Sequence, residues 1–255
     1  MPEPDAPITI DLNADVGEGV APGGDRELLE LVTSASVACG FHAGDAHVMR
    51  ATCAQAAGRG IRLGAHVSYD DREGFGRREL DLPPRRVADD VVYQLGALAA
   101  CARAEGAGLR YVKPHGALYG RANADPEMAR ALVGAIAGAV AGPLAVMTPP
   151  GSALAAAATD AGVAVIAEGF ADRGYAANGS LRPRGEEGAV LGPAAAAAQA
   201  VRLATTAEVS AAGGRSLHLP IASLCVHSDT PGALAVARAV RVALHAAGVI
   251  VTAQR

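Results

Sequence analysis

The chain has 255 residues, 51% apolar and 19% charged, with a net charge of −4 and an isoelectric point near 6.0. That apolar share supports a large core and excludes a disordered chain, and the length suits one large α/β domain. The acidic balance excludes the basic footprint of a nucleic-acid binder and the polybasic patch of a membrane-surface protein.

With aromatics at 3% and no Trp, the core must be built from Ala, Val and Leu. Cys39, Cys53, Cys101 and Cys225 show no CxxC spacing, which predicts reduced thiols in a cytoplasmic protein. The acidic segment 1–7 lacks the basic start and apolar stretch of a signal peptide. Residues 131–159 carry no charge, but Pro143, Pro149, Pro150 and several glycines break the run, so it reads as a buried helix and strand.

In chain order, 8–13 reads as a first strand, followed by a glycine-bearing loop and a helix over 25–32 with Asp25 as its cap. A second strand at 36–39 leads into Gly40-Phe41-His42-Ala43-Gly44-Asp45, where Asp45 caps a helix ending near Gly58 or Gly60. A third strand covers 61–65. After a long loop, Pro83-Pro84 opens a helix over 85–106 with Val87, Val91, Leu95 and Leu98 at helical spacing. The fourth strand, 109–113, is followed by a helix that Asp125 caps and Pro126 starts. Strands at 144–147 and 163–166 flank a helix over 151–161. A polar loop over 168–188 precedes an alanine-rich helix over 194–212, then come a strand within 219–226, a helix over 231–247 and a short tail strand at 249–252.

Strand and helix alternate about seven times, which calls for a parallel sheet in a single domain, closed or open. No GxGxxG follows the first strand and no GxxxxGK[ST] is present, so the nucleotide-binding open sheets lose support.

Reactive residue types gather where strands end. Asp11, Asn13, Asp15 and Glu18 follow the first strand, His42, Asp45 and His47 the second, and His66, Ser68, Tyr69, Asp70 and Asp71 the third. Lys113 and His115 end the fourth; Thr148 and Ser152 flank the fifth. Glu168, Asp172, Arg173 and Tyr175 follow the sixth, and His227, Ser228 and Asp229 the seventh. Only His218 and His245 of the seven histidines lie elsewhere. In a parallel barrel all these ends converge on one rim.

Lys113 is the sole lysine among 22 basic side chains: either a leftover surface lysine or a place where a compact ammonium serves and a wide guanidinium does not. Asp11, Asn13 and Asp15 alternate as oxygen donors for a hard cation would, or as partners for loop amides. His42 and His47 lack the i, i+4 spacing of a helical zinc pair. Asp11, Asp15 and His42 are therefore weak metal candidates. Asp229 is either a partner of His227 or a cap before Pro231. Arg77 and Arg78, in the flexible Gly74-Phe75-Gly76 loop, suit a carboxylate or phosphate, or form a solvated turn.

Several of these stretches together resemble the LamB/YcsF family: Asp11-Leu12-Asn13-Ala14-Asp15-Val16-Gly17-Glu18, Ala38-Cys39-Gly40-Phe41-His42-Ala43-Gly44-Asp45, Gly64-Ala65-His66 with Gly74-Phe75-Gly76-Arg77-Arg78, Val112-Lys113-Pro114-His115-Gly116-Ala117-Leu118-Tyr119, Glu168-Gly169-Phe170-Ala171-Asp172-Arg173 and Cys225-Val226-His227-Ser228-Asp229-Thr230-Pro231. The resemblance runs in order from about residue 8 to 250. Val67 and Asp70 stand where the family usually has prolines, Ser36 and Ala46 replace a usual Asn and Pro, and Ser228 a usual Gly; none removes a titratable residue.

The resemblance implies a single-domain (β/α)7 barrel over 1–255, akin to the glycoside hydrolase and deacetylase barrels. It also implies ATP-dependent opening of the cyclic amide 5-oxo-L-proline to L-glutamate, with ATP, as its Mg complex, a co-substrate and two partner subunits, B and C. On that footing Lys113 is expected to stabilise the phosphorylated or oxyanionic oxygen, and Asp15 or Asp229 to act as base. His115 and His227 are expected to move protons; Asn13, His42, His66, Arg77, Asp172 and Arg173 would bind substrate, with Arg77 or Arg173 on its carboxylate. The competing readings are a metal-dependent deacetylase or carbohydrate hydrolase, which would hold stoichiometric metal and work without ATP, and a non-catalytic binding subunit.

Overall fold

The computed structural model describes residues 7–19 and 24–253; most of the acidic 1–7 segment and part of the first loop lie outside them. The elements run β1 (Thr9–Val16), α1 (Gly24–Leu28), β2 (Ser34–Ala38), α2 (Ala46–Ala57), β3 (Arg62–Val67), α3 (Pro84–Ala104), β4 (Leu109–Pro114), α4 (Gly116–Ala124), α5 (Pro126–Ala139) and β5 (Ala145–Thr148). They continue with α6 (Ala153–Asp160), β6 (Val165–Phe170), α7 (Pro193–Thr206), β7 (Glu208–Ser210), β8 (Ser216–His218), β9 (Ser223–Val226), α8 (Ala233–Ala246) and β10 (Ile250–Val251).

Strands β1 to β6 and β9 pair in that order, all parallel, and β9 returns to β1 through Asp11 opposite Ser223 and Asn13 opposite Cys225. The sheet is therefore a closed seven-stranded (β/α)7 barrel, and β10 adds to the outer start of β1. Among the described residues no helix is long and apolar enough to cross a membrane.

Alternation along β1 explains the closure. Leu12, Ala14 and Val16 join the main apolar cluster between sheet and helices, while Asp11, Asn13 and Asp15 face across the barrel. The lumen is polar for a β/α barrel. Asp11 accepts from Thr33, Ser34 and Ser223, and Asn13 donates to Ser223 and Glu168. A second, small apolar cluster of Tyr111, Met147 and Ile166 fills its other side.

Tyr111 lies on Gly64, where an added Cβ would stand 2.2 Å from the ring, and its hydroxyl meets Ser36 Oγ at 3.1 Å. Gly64→Ala is therefore an overpacking change. It is expected to lower stability by about 3 kcal/mol or more, beyond the usual range for one methyl because the ring is walled in. Chemical denaturation checks this.

Asp45 and Asp125 cap α2 and α5 as the sequence indicates. Asp25 does not cap α1; it lies in the first turn, and its carboxylate accepts from Gly17 N. Nothing in the sequence signals α4, nor the antiparallel β7–β8 pair that replaces the expected last turn of the alanine-rich helix.

A buried polar site at the strand ends

The C-terminal ends of the barrel strands hold a continuous buried polar network. At its base, Lys113 at the end of β4 is 2% exposed. Its Nζ lies 2.8 Å from Asp15 Oδ1, 2.7 Å from Glu168 Oε1 and 3.1 Å from Cys225 Sγ. Tyr119 donates to the other Glu168 oxygen at 3.1 Å, and the Phe170 ring lies 5.5 Å from the ammonium. Burial by itself would strip the charge from Lys113, but Asp15, Cys225 and Glu168 outweigh it and hold its pKa well above the usual lysine value. Burial likewise opposes the charge on Asp15, and His66 and Lys113 outweigh it, so Asp15 stays well below the usual carboxylate range.

This geometry corrects the expected roles. An ammonium has three N–H groups, and Asp15, Glu168 and Cys225 occupy them. Lys113 is a strut between two carboxylates, with no N–H pointing free at an oxyanion. Asp15 has one oxygen on Lys113 and the other 3.4 Å from His66 Nε2, which is a poor situation for a general base.

Above this base, Glu18, His42, His66 and His115 converge from four loops and strands. His42 and His115 stack with centroids 3.9 Å apart, and His66 meets both edge-on. Burial lowers His42 below the usual histidine value, and burial with His42 and His66 as neighbours lowers His115 well below it. Burial pulls His66 the same way, but Asp15 outweighs it and holds its pKa up.

The third group pairs residues far apart in sequence. His227 Nδ1 lies 2.9 Å from Asp172 Oδ1, while Asp172 Oδ2 accepts from His227 N at 3.1 Å and Thr230 Oγ1 at 2.9 Å. His227 stacks on Phe170 at 5.3 Å. Burial would raise Asp172, but His227 outweighs it and the carboxylate sits below its usual value.

Asp229, expected as a partner of His227 or a cap, turns to arginines instead. Arg77 holds Oδ2 and Arg184 holds Oδ1. With both oxygens engaged, Asp229 is not placed to act as base, and Arg77 reaches a substrate carboxylate only alongside it. Arg173 is 6% exposed and donates to the Ala189 and Arg182 carbonyls; burial, then Arg184 and Arg77, lower its pKa. Two guanidiniums thus hold one carboxylate with Arg173 nearby, leaving excess positive charge at the mouth.

Burial would raise Asp229, but Arg77 and Arg184 bring it below its usual value. A carboxyl depressed in the folded state contributes stability above its unfolded pKa of about 3.9, and that contribution disappears as pH falls through the folded value. Asp229→Asn is therefore expected to lower the thermal midpoint at neutral pH. The gap to the unaltered chain should close as pH falls below about 4.

Asp15, His66, Lys113, His115, Tyr119, Phe170, His227 and the three arginines line a cavity of about 100 Å³. It shares Arg77, Tyr119, Phe170, Arg173 and Arg184 with a cleft of about 1180 Å³. Of the expected residues, only Asp11 stands apart, engaged by hydroxyls in the lumen and forming no centre with His42. Glu18, Glu168 and Arg184 are residues of this network to which the sequence assigns no role. Glu18 and Glu168 both stand in strand-end stretches; Arg184, one arginine among many in a polar loop, carries no sequence signal.

Fold and site define a parallel β/α barrel with a buried polar network at its C-terminal rim. The chain belongs to the LamB/YcsF family, whose profile matches residues 10–255. It is 50% identical over 249 residues to the A subunit of 5-oxoprolinase from Nocardia farcinica, covering 96% of this chain and 99% of that one. The Streptomyces avermitilis protein of the same name is 52% identical over 248 residues, with 96% and 99% covered.

The solved structure of the lactam utilization protein from Thermus thermophilus superposes with a TM-score of 0.89 at 43% identity, covering 96% of this chain and all of that one. The T48 deacetylase superposes with a TM-score of 0.51 at 12% identity, with 96% and 88% covered; that likeness is one of fold alone.

Proposed function

We propose that this chain is the A subunit of an ATP-dependent 5-oxoprolinase, working with subunits B and C in the cytoplasm. Its four unpaired cysteines support that location. The reaction is 5-oxo-L-proline + ATP + 2 H₂O → L-glutamate + ADP + phosphate. The observation that carries the reading is the small polar cavity flanked by Arg77, Arg173 and Arg184 and closed by His227 on Asp172. It joins cations for a substrate carboxylate to a base for water, which suits a small anionic lactam.

A lactam is a poor electrophile, and a phosphoryl group from ATP, supplied as its Mg complex, on the amide oxygen makes C5 attackable. His227, its Nδ1–H fixed by Asp172, takes the proton of an attacking water at Nε2. The C5–N bond of the tetrahedral adduct then breaks as His227 returns the proton to the ring nitrogen, giving a γ-glutamyl phosphate. A second water releases phosphate. The arginines hold the carboxylate, and the Lys113 strut with Asp15 and Glu168 fixes the floor of the cavity.

The test is glutamate release from 5-oxoproline by this chain alone and mixed with candidate B and C subunits, with and without ATP. The expected result is ATP-dependent glutamate in the mixture. ATP-independent hydrolysis of acetylated sugars by the chain alone, without lactam turnover, would instead establish the deacetylase alternative.

A further inference from the structure

We infer that Glu18, His42, His66 and His115 form a binding site for one transition-metal dication of the zinc type, in the wall of the substrate cavity. The inference stands on side-chain geometry and does not depend on the reaction proposed above.

The four side chains are each at most 7% exposed. Their facing atoms, Glu18 Oε1, His42 Nε2, His66 Nε2 and His115 Nδ1, all lie within 4.8 Å of one another. His66 Nε2 and His115 Nδ1 are 3.0 Å apart; Glu18 Oε1 is 3.1 Å from His42, 3.6 Å from His115 and 3.9 Å from His66.

The opposite ring nitrogens decide which atoms face inward. His66 Nδ1 lies 3.0 Å from the Lys113 carbonyl and His115 Nε2 lies 2.8 Å from the Phe75 carbonyl. A carbonyl only accepts, so both of those nitrogens carry the hydrogen. His42 Nδ1 meets Ser68 Oγ at 2.9 Å, and the single hydrogen of that hydroxyl goes to the Tyr69 carbonyl at 2.9 Å. Ser68 Oγ therefore accepts from His42. In the neutral rings, all three inward nitrogens present lone pairs, and a carboxylate oxygen faces them.

Four acceptors, the nearest pairs 3.0 and 3.1 Å apart, with no donor between them in the neutral rings, require a cation. One proton bridges one pair: placed on His66 it serves His115 or Asp15 and leaves His42 bare against Glu18. One metal ion satisfies all four. Carbonyl and hydroxyl partners behind ligating imidazoles are the arrangement that fixes tautomer and ring direction in metal sites.

The loop behind the rings holds them under strain. Phe75 has φ 54°, unusual for a bulky residue, and this turns its carbonyl onto His115. Gly76 has φ 64°, and a Cβ there would stand 2.9 Å from both His115 and His42. Metal–nitrogen bonds of about 2.0–2.1 Å put tetrahedral ligands about 3.4 Å apart, within the observed spread. Three imidazoles and one carboxylate suit zinc and its neighbours, whereas magnesium and calcium favour all-oxygen sets. By contrast, Asp15, Cys225 and His227 also converge, but the Lys113 ammonium stands against Asp15 and Cys225 and already supplies the charge.

The test is metal content by plasma emission on the chelator-stripped chain after dialysis against Zn²⁺, together with Co²⁺ absorption. One equivalent per chain is expected, with the intense visible bands of four-coordinate Co²⁺. Glu18→Gln and His115→Gln should each weaken binding at least ~10-fold, as should Ser68→Ala, which touches no ligand atom. His47→Ala, on an exposed residue, should change nothing. A stripped wild-type chain shown folded by circular dichroism that takes up less than stoichiometric Zn²⁺ and Co²⁺ would overturn the site. So would one equivalent retained in both Glu18→Gln and His115→Gln.

Discussion

Lys113→Met is expected to reduce ATP-dependent glutamate release at least ~10²-fold and to destabilise the chain by about 3–5 kcal/mol. The ammonium is enclosed by Asp15, Glu168 and Cys225, and removing it leaves two carboxylates facing each other in a buried space. One must then take up a proton, and the floor of the cavity loses its shape. Lys113→Arg should do little better, because a planar fork cannot occupy a cage built around a compact ammonium. That constraint suits a lysine here, where every other Lys/Arg position in the chain is arginine. The double variant Lys113→Met/Glu168→Gln removes the repulsion, so it should regain much of the stability and little of the activity. Recovery of both would reduce the lysine's role to folding.

Asp172→Asn is expected to lower kcat by about 10²–10⁴ with KM little changed, provided His227 is the base. The carboxylate fixes the Nδ1–H tautomer of His227 and leaves Nε2 free for water. An amide of the same shape can present its NH₂ to Nδ1, which moves the ring hydrogen to Nε2 and blocks the base. Thr230 and the His227 backbone can still bond to the amide oxygen, so the fold should hold. Steady-state kinetics of the assembled complex, beside a thermal melt of the chain, separates lost orientation from lost folding. A parallel rise in KM would place the dyad in substrate binding instead.

The alternation of strands and helices was legible because apolar spacing changes between periods of two and 3.6 along the chain. Closure was not: nothing in Asp11 or Ser223 announces that β1 and β9 meet, and an open sheet has the same pattern. The alanine-rich stretch carried no stop signal, yet α7 ends at Thr206 and Ala207 turns left-handed at φ 53° before the β7–β8 pair. Helix α4 is hidden in the sequence because Gly116, Gly120 and Asn123 are poor helix formers.

The site shows the same division. That polar residues cluster at strand ends could be read directly, and nearly all of them do converge on one rim. Which residue meets which could not. His227 and Asp229 are near neighbours in sequence, but one turns to Asp172 and the other to Arg77 and Arg184. Glu168 read as the start of a loop, whereas it lies inside β6 and its alternation directs it at Lys113.

The central claim is that the lactam site lies on this chain, at the barrel rim. The most direct measurement is equilibrium binding of 5-oxoproline to the isolated, folded chain by calorimetry, alongside Arg77→Ala/Arg184→Ala. One site per chain, weakened at least ~10-fold in the double variant, is the predicted result, since two charge-assisted contacts to the carboxylate would be lost. No heat of binding to this chain, with saturable binding to a partner subunit alone, would contradict it.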